Sequence, residues 1–286
     1  MARNFSDIRT FNFSWQASPS HRYEIKQDGQ TLEKGEMHSS NNIKFNFTIP
    51  VVLSKKFSLY AIAQADFYNY NTQQVEGERL LSQKQKSENR QYYRGTLNGM
   101  YRTSLAGKPF IVNANLSLDG YNHGVVQPLA TVAAISVLKR NQHTSLSAGL
   151  ALMWPFNLIP VMPVVTYWHQ FSPRWSVDIS MPRQFYFRYQ LGKSSRLSAG
   201  SALQNDQFYF RSQGETRFFS EASMNAELLY EYVAMRHFYF FARAGLTARV
   251  AGGIYQTNRK KIGEGLEYHR KAEPFFTLGC SYNIFK

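Results

Sequence analysis

The sequence predicts an all-β fold, a transmembrane barrel of up-and-down antiparallel strands, and the first supporting observation is an unusually long alternation. Residues 218–232 and 238–250 each alternate between a largely apolar and a largely polar set of side chains, which is the periodicity of a β-strand. Strands in ordinary sheets are about 5–6 residues long. Two strands of this length in one hairpin therefore indicate a barrel wall.

The composition supplies two further observations. Aromatic residues make up 15% of the 286 residues, whereas charged residues make up only 18%. The mean hydropathy is nevertheless −0.41, and no segment approaches the ~20 consecutive apolar residues that a membrane helix requires. A transmembrane barrel explains both facts, because half of each strand is polar and lowers the average hydropathy.

The hairpin of residues 217–250 indicates how the two faces are used. A three-residue turn would place Val233 opposite His237, and this register places Glu227 opposite Arg243 on a charged face. The other face is apolar throughout. In water the apolar face would line a core, whereas in a membrane barrel apolar residues face lipid and polar residues face the lumen. The sequence therefore predicts that the carboxylates and guanidinium groups point inward.

The same alternation identifies the other strands in order along the chain. The fourteen predicted strands are residues 9–15, 43–51, 57–70, 90–104, 110–118, 131–138, 146–152, 164–170, 175–181, 185–191, 197–210, 217–233, 237–250 and 276–284. Residues 131–138 are apolar on both faces, so the pattern leaves their orientation open. The connections alternate between short turns and longer segments, such as residues 17–41, 71–89 and 256–272. Bacterial outer-membrane barrels have short periplasmic turns and longer outer loops.

The predicted number of strands also indicates whether the barrel can close. An even number of strands brings the last strand beside the first and leaves no open edge. We predict fourteen strands in a single domain, residues 1–286, with twelve or sixteen strands as alternatives. A soluble β-sandwich also has alternating strands, but with turns every ~8–12 residues. Aromatic residues near the ends of the apolar faces, such as Phe57, Trp175 and Tyr282, favour the membrane barrel and its aromatic girdles.

The formal net charge of +14 concerns binding partners rather than the fold. The sequence has no helix-turn-helix or zinc-finger pattern, so nucleic acid is not a predicted partner. Outer-membrane lipid and lipopolysaccharide are the predicted partners, with other envelope proteins as further candidates. The single cysteine, Cys280, and the scattered histidines suggest no disulfide framework, metal or cofactor. The opening residues MARNFSDIRT lack an apolar h-region, so an outer-membrane location implies a signal peptide that is absent from this numbering.

The hairpin registers predict four acid–base pairs on the lumen face. They are Asp66 with Arg94, Asp178 with Arg188, Glu221 with Arg249, and Glu227 with Arg243. One interpretation is a polarised constriction that selects solutes by charge. The alternative is that the pairs neutralise one another and fill a narrow barrel with a hydrogen-bonded polar core.

The basic residues between the predicted strands form a second candidate site. Outward-facing loops would bring cationic side chains to the phosphates of lipopolysaccharide, and the candidates are Lys84, Lys86, Arg259, Lys260 and Lys261. Solvated loops of a basic protein are the alternative interpretation.

A lipid hydrolase of the phospholipase or lipid A deacylase type is the alternative function. Its candidate residues are His143 and Ser145, which are spaced so that both side chains lie on one strand face. They fall at a short turn on the predicted periplasmic side, far from the outer leaflet, which argues against this function.

Two segments resemble a known family. Residues 175–183 (WSVDISMPR) continue into an aromatic-rich strand, and residues 275–286 (FFTLGCSYNIFK) resemble the terminal strand that the barrel assembly machinery recognises, although Lys286 follows the usual final aromatic. The chain is similar in these segments to an uncharacterised outer-membrane barrel family of Bacteroidota and related bacteria, the DUF6268 type. The resemblance implies a fold and a location but no known activity. We expect a barrel without enzymatic activity, either a narrow pore or a structural or accessory barrel with a charge-paired lumen.

Overall fold

The computed structural model of the protein describes residues 9–81, 88–154, 161–212, 214–235 and 237–284. This part of the chain is all-β and forms a closed antiparallel barrel of 14 strands, as the alternation predicted. A helix with the length and apolarity needed to cross a membrane is absent from the described residues.

The barrel contains sixteen strand segments, because its first and last strands are each interrupted. The segments are β1 (Phe11–Ser18), β2 (His21–Gln27), β3 (Gln30–Leu53), β4 (Phe57–Gly77), β5 (Glu88–Leu105), β6 (Lys108–Tyr121), β7 (Gly124–Arg140), β8 (Thr144–Trp154), β9 (Val161–Gln170), β10 (Trp175–Met181), β11 (Gln184–Gln190), β12 (Ser195–Ser212), β13 (Glu215–Met235), β14 (Phe238–Gln256), β15 (Lys261–Arg270) and β16 (Glu273–Tyr282). Proline at position 19 has no N–H to donate to a ladder, and it lies between β1 and β2.

The interrupted strands close the barrel. β1 pairs with β3 on one side and with β16 on the other. Further along the barrel, β2 and β15 pair with each other and take the places of β1 and β16 between β3 and β14. We call the end that carries Phe11 and Tyr282 the terminal end, and the opposite end, at the turn of Asp28 and Gly29, the distal end.

The outer and inner faces are assigned as the sequence predicts. Leu228 and Leu278 point outward and are 56% and 45% exposed, whereas Glu227 and Asn225 point into the lumen and are 5% and 2% exposed. A core in water would show the reverse. The wall is therefore apolar outside and polar inside, which is the arrangement of transmembrane barrels.

The predicted hairpin registers are wrong by two residues. Val233 lies opposite Tyr239 rather than His237, because pairing continues to Met235 opposite Phe238, with a register irregularity between Val233 and Met235. Likewise Asp66 lies opposite Tyr92. Side chains alternate with a period of two, so this shift keeps each residue on its predicted face but changes its partner.

Two predicted long loops are also wrong. Within residues 17–41 the chain turns sharply at Asp28 and Gly29, whose φ angles are 51° and 78°, as a two-residue hairpin turn requires. Residues 256–272 likewise contain β15. In β2 and β15 the apolar side chains point inward and are buried, as Tyr23, Ile25 and Tyr268 show, whereas the outward side chains are polar. This is the reverse of the alternation that identifies a membrane strand.

The strands differ greatly in length, and this difference shapes the lumen. β10 and β11 have 7 residues each, whereas β12 has 18. Beyond Leu203 the distal part of β12 turns inward and pairs with β5, with Tyr209 opposite Gln91. Leu203 and Tyr209 are on the same face of β12, yet Leu203 is 36% exposed and Tyr209 only 2%. The outer face of β12 is therefore covered at its distal end.

The contact of β12 with β5 closes a smaller ring inside the distal half. This ring consists of β12, β13, β14, β15, β2, β3, β4 and β5 in pairing order. A cluster of buried, mostly aromatic side chains fills the distal half, including Tyr23, Tyr68, Tyr70, Tyr92, Phe208, Phe210, Phe219 and Tyr268. The open part of the lumen consequently lies at the terminal end.

Candidate functional site

Two of the four predicted lumen pairs are formed. Nη2 of Arg188 lies 2.5 Å from Oδ2 of Asp178, and Nη1 of Arg243 lies 3.9 Å from Oε1 of Glu227. In both cases the partners are offset by two positions along paired strands. Guanidinium side chains are long enough to bridge this offset, so these two pairs tolerate the difference in register.

The predicted pair of Glu221 with Arg249 does not form. Nε of Arg270 lies 2.7 Å from Oε1 of Glu221 instead, and the same guanidinium group contacts Glu273. Arg249 bonds to a backbone oxygen, 3.0 Å away. The sequence predicts a loop where β15 lies, and β15 is the strand that brings Arg270 into the lumen.

Asp66 and Arg94 do not bond to each other either. Asp66 is 2% exposed and accepts a hydrogen bond of 2.8 Å from the side-chain amide of Gln64. Arg94 donates a hydrogen bond of 3.1 Å to Oε1 of Gln207. Gln207 belongs to the distal part of β12, so the inward turn of that strand supplies a partner that the sequence did not reveal.

A cavity of about 900 Å³ occupies the terminal half of the lumen. Its charged lining combines the arginines Arg9, Arg183, Arg188, Arg196 and Arg243 with the carboxylates Asp178 and Glu231. A third carboxylate, Glu227, accepts a hydrogen bond from the hydroxyl of the lining residue Tyr186. Five cations against three anions leave an excess of two positive charges around the cavity.

Glu231 organises three of these arginines. Its side chain accepts hydrogen bonds from Nη2 of Arg9 at 2.9 Å and from Nε of Arg196 at 2.8 Å. Nη1 of Arg188 lies 3.9 Å from the same carboxylate. The carboxylate is 5% exposed, so this cluster lies in the wall of the cavity rather than at its mouth.

The sequence did not predict the partners of Glu231. The alternation of residues 217–233 does place Glu231 on the lumen face, so the sequence indicates its orientation but not its partners. Its direct neighbour Arg196 belongs to another strand, and their pairing depends on the register of β12 with β13. Arg9 lies just before β1, and the alternation of the predicted strand 9–15 would have placed it on the outer face with Phe11 and Phe13.

At the distal end β12 is held against β5 and β6 by a group of side chains that we call the distal contact: Tyr92, Asp119, Tyr121, Tyr209 and Arg259. The ring of Tyr209 stacks against those of Tyr92 and Tyr121, with centroids 6.3 Å and 5.3 Å away. The hydroxyl of Tyr209 donates to Asp119 over 3.2 Å, and the guanidinium group of Arg259 binds the same carboxylate. These contacts join the β14–β15 turn and β12 to β5 and β6.

Arg259 remains charged in this position. Burial opposes its positive charge, but the Asp119 carboxylate outweighs burial and raises the pKa of Arg259 above its usual value. Its side chain is 15% exposed, which contrasts with its predicted role as a surface contact for lipopolysaccharide. Lys260 and Lys261 are exposed at the distal end, and Lys84 and Lys86 lie outside the described residues.

The two residues proposed for a hydrolase do not form a catalytic pair. Ser145 lines the cavity and His143 is exposed, and no hydrogen bond joins their side chains. The hydroxyl of Thr144 contacts Nδ1 of His169 instead, at 2.9 Å. Among the described residues, three or more His, Cys, Asp or Glu side chains do not gather in a group that could hold a metal ion.

Comparison with solved structures returns other barrels. An outer membrane channel from Pseudomonas putida F1 has 9% identity and a TM-score of 0.44, covering 99% of this chain and 98% of that one. A FadL homologue from Pseudomonas aeruginosa has 9% identity and a TM-score of 0.33, covering 99% and 92%. The outer membrane protease OmpT from Escherichia coli has 6% identity and a TM-score of 0.29, covering 98% and 99%.

Sequence comparisons give a family. No curated protein matches the chain. A family described as a domain of unknown function, DUF6268, matches residues 125–283, which is more than half of the chain. The match includes residues 175–183 and most of the final strand, where the sequence itself shows the resemblance. The chain therefore belongs to the DUF6268 family.

Proposed function

We propose that this protein is an outer-membrane barrel without an enzymatic site that passes anions through a narrow lumen. The observation that carries the proposal is the cavity of about 900 Å³ with five arginines in its lining. Fixed cationic side chains in a cavity with low-dielectric walls attract anions and repel cations. The excess of positive charge distinguishes this lumen from one filled by mutually neutralising pairs.

The outer membrane is the proposed location because of the outward-facing side chains. Exposed aromatic residues at the terminal end of the wall include Phe57, Tyr101, Trp175, Tyr232 and Phe238. Such residues occupy the interface between lipid and water in transmembrane barrels, next to the apolar band. Every connection at the terminal end has four residues or fewer, whereas residues 78–87 join β4 to β5 at the distal end, so we place the terminal end on the periplasmic side. Lipopolysaccharide as a partner of Lys260 and Lys261, and an origin in Bacteroidota or related bacteria, remain predictions.

The filled distal half means that conduction requires a rearrangement. In this conformation the cavity lies behind the aromatic cluster and the distal contact. The movement that would open a path is a displacement of distal β12 away from β5, which would separate Tyr209 from Tyr92. The filled distal half also favours a second candidate function, a structural or accessory barrel that never conducts.

Conductance in planar lipid bilayers tests the proposal. We compare the wild type with the double variant Asp119→Asn and Arg259→Gln, which removes both charges and leaves no buried ion unpaired. In a potassium chloride gradient we expect brief openings of the wild type and an open probability about tenfold higher for the variant, equivalent to ~1.4 kcal/mol. The reversal potential should lie closer to the equilibrium potential of chloride than to that of potassium.

The matched control is Lys260→Gln, which removes a neighbouring charge that does not belong to the distal contact. It should conduct like the wild type. A current carried mainly by potassium would overturn the proposal. Complete absence of current from both proteins, in bilayers where a porin conducts, would also overturn it and would favour the accessory barrel.

A further inference from the structure

Large apolar side chains line the same cavity as the arginines. They are Tyr60, Ile62, Met100, Trp168, Leu229 and Phe241. The lumen of a water-filled barrel is lined by polar side chains. Binding sites for organic molecules, in contrast, are mostly apolar with a few placed polar groups, in cavities of about 300–1,000 Å³. The lining of this cavity combines the two kinds, because a wall of large apolar side chains lies among a larger number of polar and charged residues.

The apolar and cationic parts of the lining are adjacent. Tyr186, Leu229 and Phe241 pack together as one buried cluster. The guanidinium group of Arg188 lies 5.4 Å from the ring centroid of Tyr186, and that of Arg243 lies 5.3 Å from the ring centroid of Phe241. One apolar wall is therefore flanked by two cations.

These two arginines retain unused hydrogen-bonding capacity. Arg188 is 7% exposed, and its Nε is buried without a hydrogen-bond partner among the described residues. Nε of Arg243 is in the same state, and its nearest carboxylate oxygen, on Glu227, is 3.9 Å away. Arg243 forms no side-chain hydrogen bond among the described residues, and its side chain is 38% exposed in the lining of the cavity, so its guanidinium group is available to an acceptor there.

We propose that the cavity binds an organic monoanion with an apolar body, such as an aromatic carboxylate. The carboxylate accepts hydrogen bonds from Arg188 and Arg243, for which guanidinium groups are well suited. The apolar body packs on Leu229 and Phe241. The inference rests on the proposed function, since it names the class of solute that the lumen would select.

Binding to the purified barrel in detergent tests this inference, with titration calorimetry as the measurement. Three probes are compared. Benzoate supplies both the anion and the aromatic body, acetate supplies the anion alone, and benzyl alcohol supplies the aromatic body alone. We expect benzoate to bind at least about tenfold more tightly than either of the others, a difference of the size that one lost interaction gives.

Two variants separate the contributions. Arg243→Gln should weaken benzoate binding about tenfold and leave benzyl alcohol unchanged. Leu229→Ala should weaken benzoate binding without affecting acetate, and it keeps the test valid if Arg243→Gln fails to fold. The matched control is Arg140→Gln, an exposed residue at the end of β7, which should bind benzoate like the wild type.

The possible outcomes distinguish this inference from the proposed function. If chloride passes in preference to potassium but benzoate binds no better than acetate, the inference is overturned and the proposed function stands. If benzoate binds as expected but no current flows, the inference is supported as a binding site and the conduction proposal is overturned. Equal binding of benzyl alcohol and benzoate would overturn the inference, because the arginines would then contribute nothing.

Discussion

Glu231 is the residue on which the terminal half of the lumen depends most. Its buried carboxylate bonds to Arg9 and Arg196 and lies 3.9 Å from Arg188. Removing one partner of a buried ion pair leaves the remaining charge desolvated and uncompensated, which costs about 3–5 kcal/mol. Here three guanidinium groups would lose their shared counter-ion at once.

We therefore expect Glu231→Gln to lower the free energy of unfolding by about 3 kcal/mol. Urea unfolding in lipid vesicles, followed by circular dichroism, is the measurement. The control is Glu267→Gln, whose side chain is 65% exposed and which should change stability by less than about 0.5 kcal/mol. If the two variants are equally stable, the arginine cluster does not need its carboxylate.

For single residues, the sequence predicts which face of the wall a side chain occupies better than it predicts the ion-pair partner of that side chain. The inward positions of Asp178, Arg188, Glu227 and Arg243 follow from alternation alone, and all four line or adjoin the cavity. Their bonding partners depend on turn lengths, which single-sequence patterns do not fix to within two residues. The cluster around Glu231 combines three strands and a residue before β1, so no local pattern could reveal it.

Among the secondary-structure elements, β12 has the most unusual role. Its terminal part is an ordinary wall strand between β11 and β13, whereas its distal part crosses toward β5. Tyr209 is the main contact of the crossing segment, because it stacks on Tyr92 and Tyr121 and bonds to Asp119. The ladder with β13 runs along the whole of β12, and at the distal end packing on β5 and β6 holds the other edge of the strand.

We expect Tyr209→Ala to loosen residues 204–212 of β12 selectively. Loss of the stacked ring removes contacts worth about 3–5 kcal/mol for a buried aromatic side chain. Hydrogen exchange with mass spectrometry should show faster exchange in residues 204–212 and unchanged exchange in residues 196–202. Tyr230→Ala, at an outward residue that is 41% exposed, is the control. Uniform acceleration along β12 would show that the strand behaves as one unit.

The sequence did not reveal the crossing of β12 for a physical reason. Residues 197–210 read as one strand, although its outward positions become polar after Leu203, at Asn205 and Gln207. The inward turn instead follows from the shortness of β10 and β11, which leaves distal β12 without a neighbour on that side. Contacts between Tyr209 and residues of β5 and β6 are remote in sequence, and periodicity carries no information about them.

For the whole molecule, the membrane assignment follows from the inverted faces. Leu246 is 56% exposed on the outer wall, opposite Ala226 and several positions from the aromatic residues at the terminal end. An arginine on the lipid face near the middle of a bilayer destabilises a barrel by about 2–4 kcal/mol. The effect near the interface or in water is much smaller.

We therefore expect Leu246→Arg to reduce the free energy of folding into lipid vesicles by about 2–4 kcal/mol. Val75→Arg is the matched control, because Val75 is 65% exposed on the distal extension of β4 and should tolerate the charge. Urea titration of the folded fraction gives both values. Equal tolerance of the two arginines would mean that Leu246 does not face hydrocarbon, and the membrane assignment would fail.

The global features of the fold were the most predictable. Fourteen strands, closure and the direction of both faces follow from period-two patterning, since the bilayer imposes that pattern on every spanning strand. The distal half is shaped by packing in water and by pairing between residues far apart in sequence. The distal strands β2 and β15, with apolar side chains inward and polar ones outward, were predicted as loops, and the smaller ring inside the barrel was not predicted.

The pairing of β2 with β15 has a consequence for biogenesis. These two segments lie near opposite ends of the chain, with Tyr23 opposite Arg270, and the smaller ring is incomplete until they meet. A nascent polypeptide that lacks β15 can arrange most of its hairpins but cannot shut its outer vestibule. The smaller ring, like the barrel wall, is therefore completed only when segments from the first and last strands of the barrel meet.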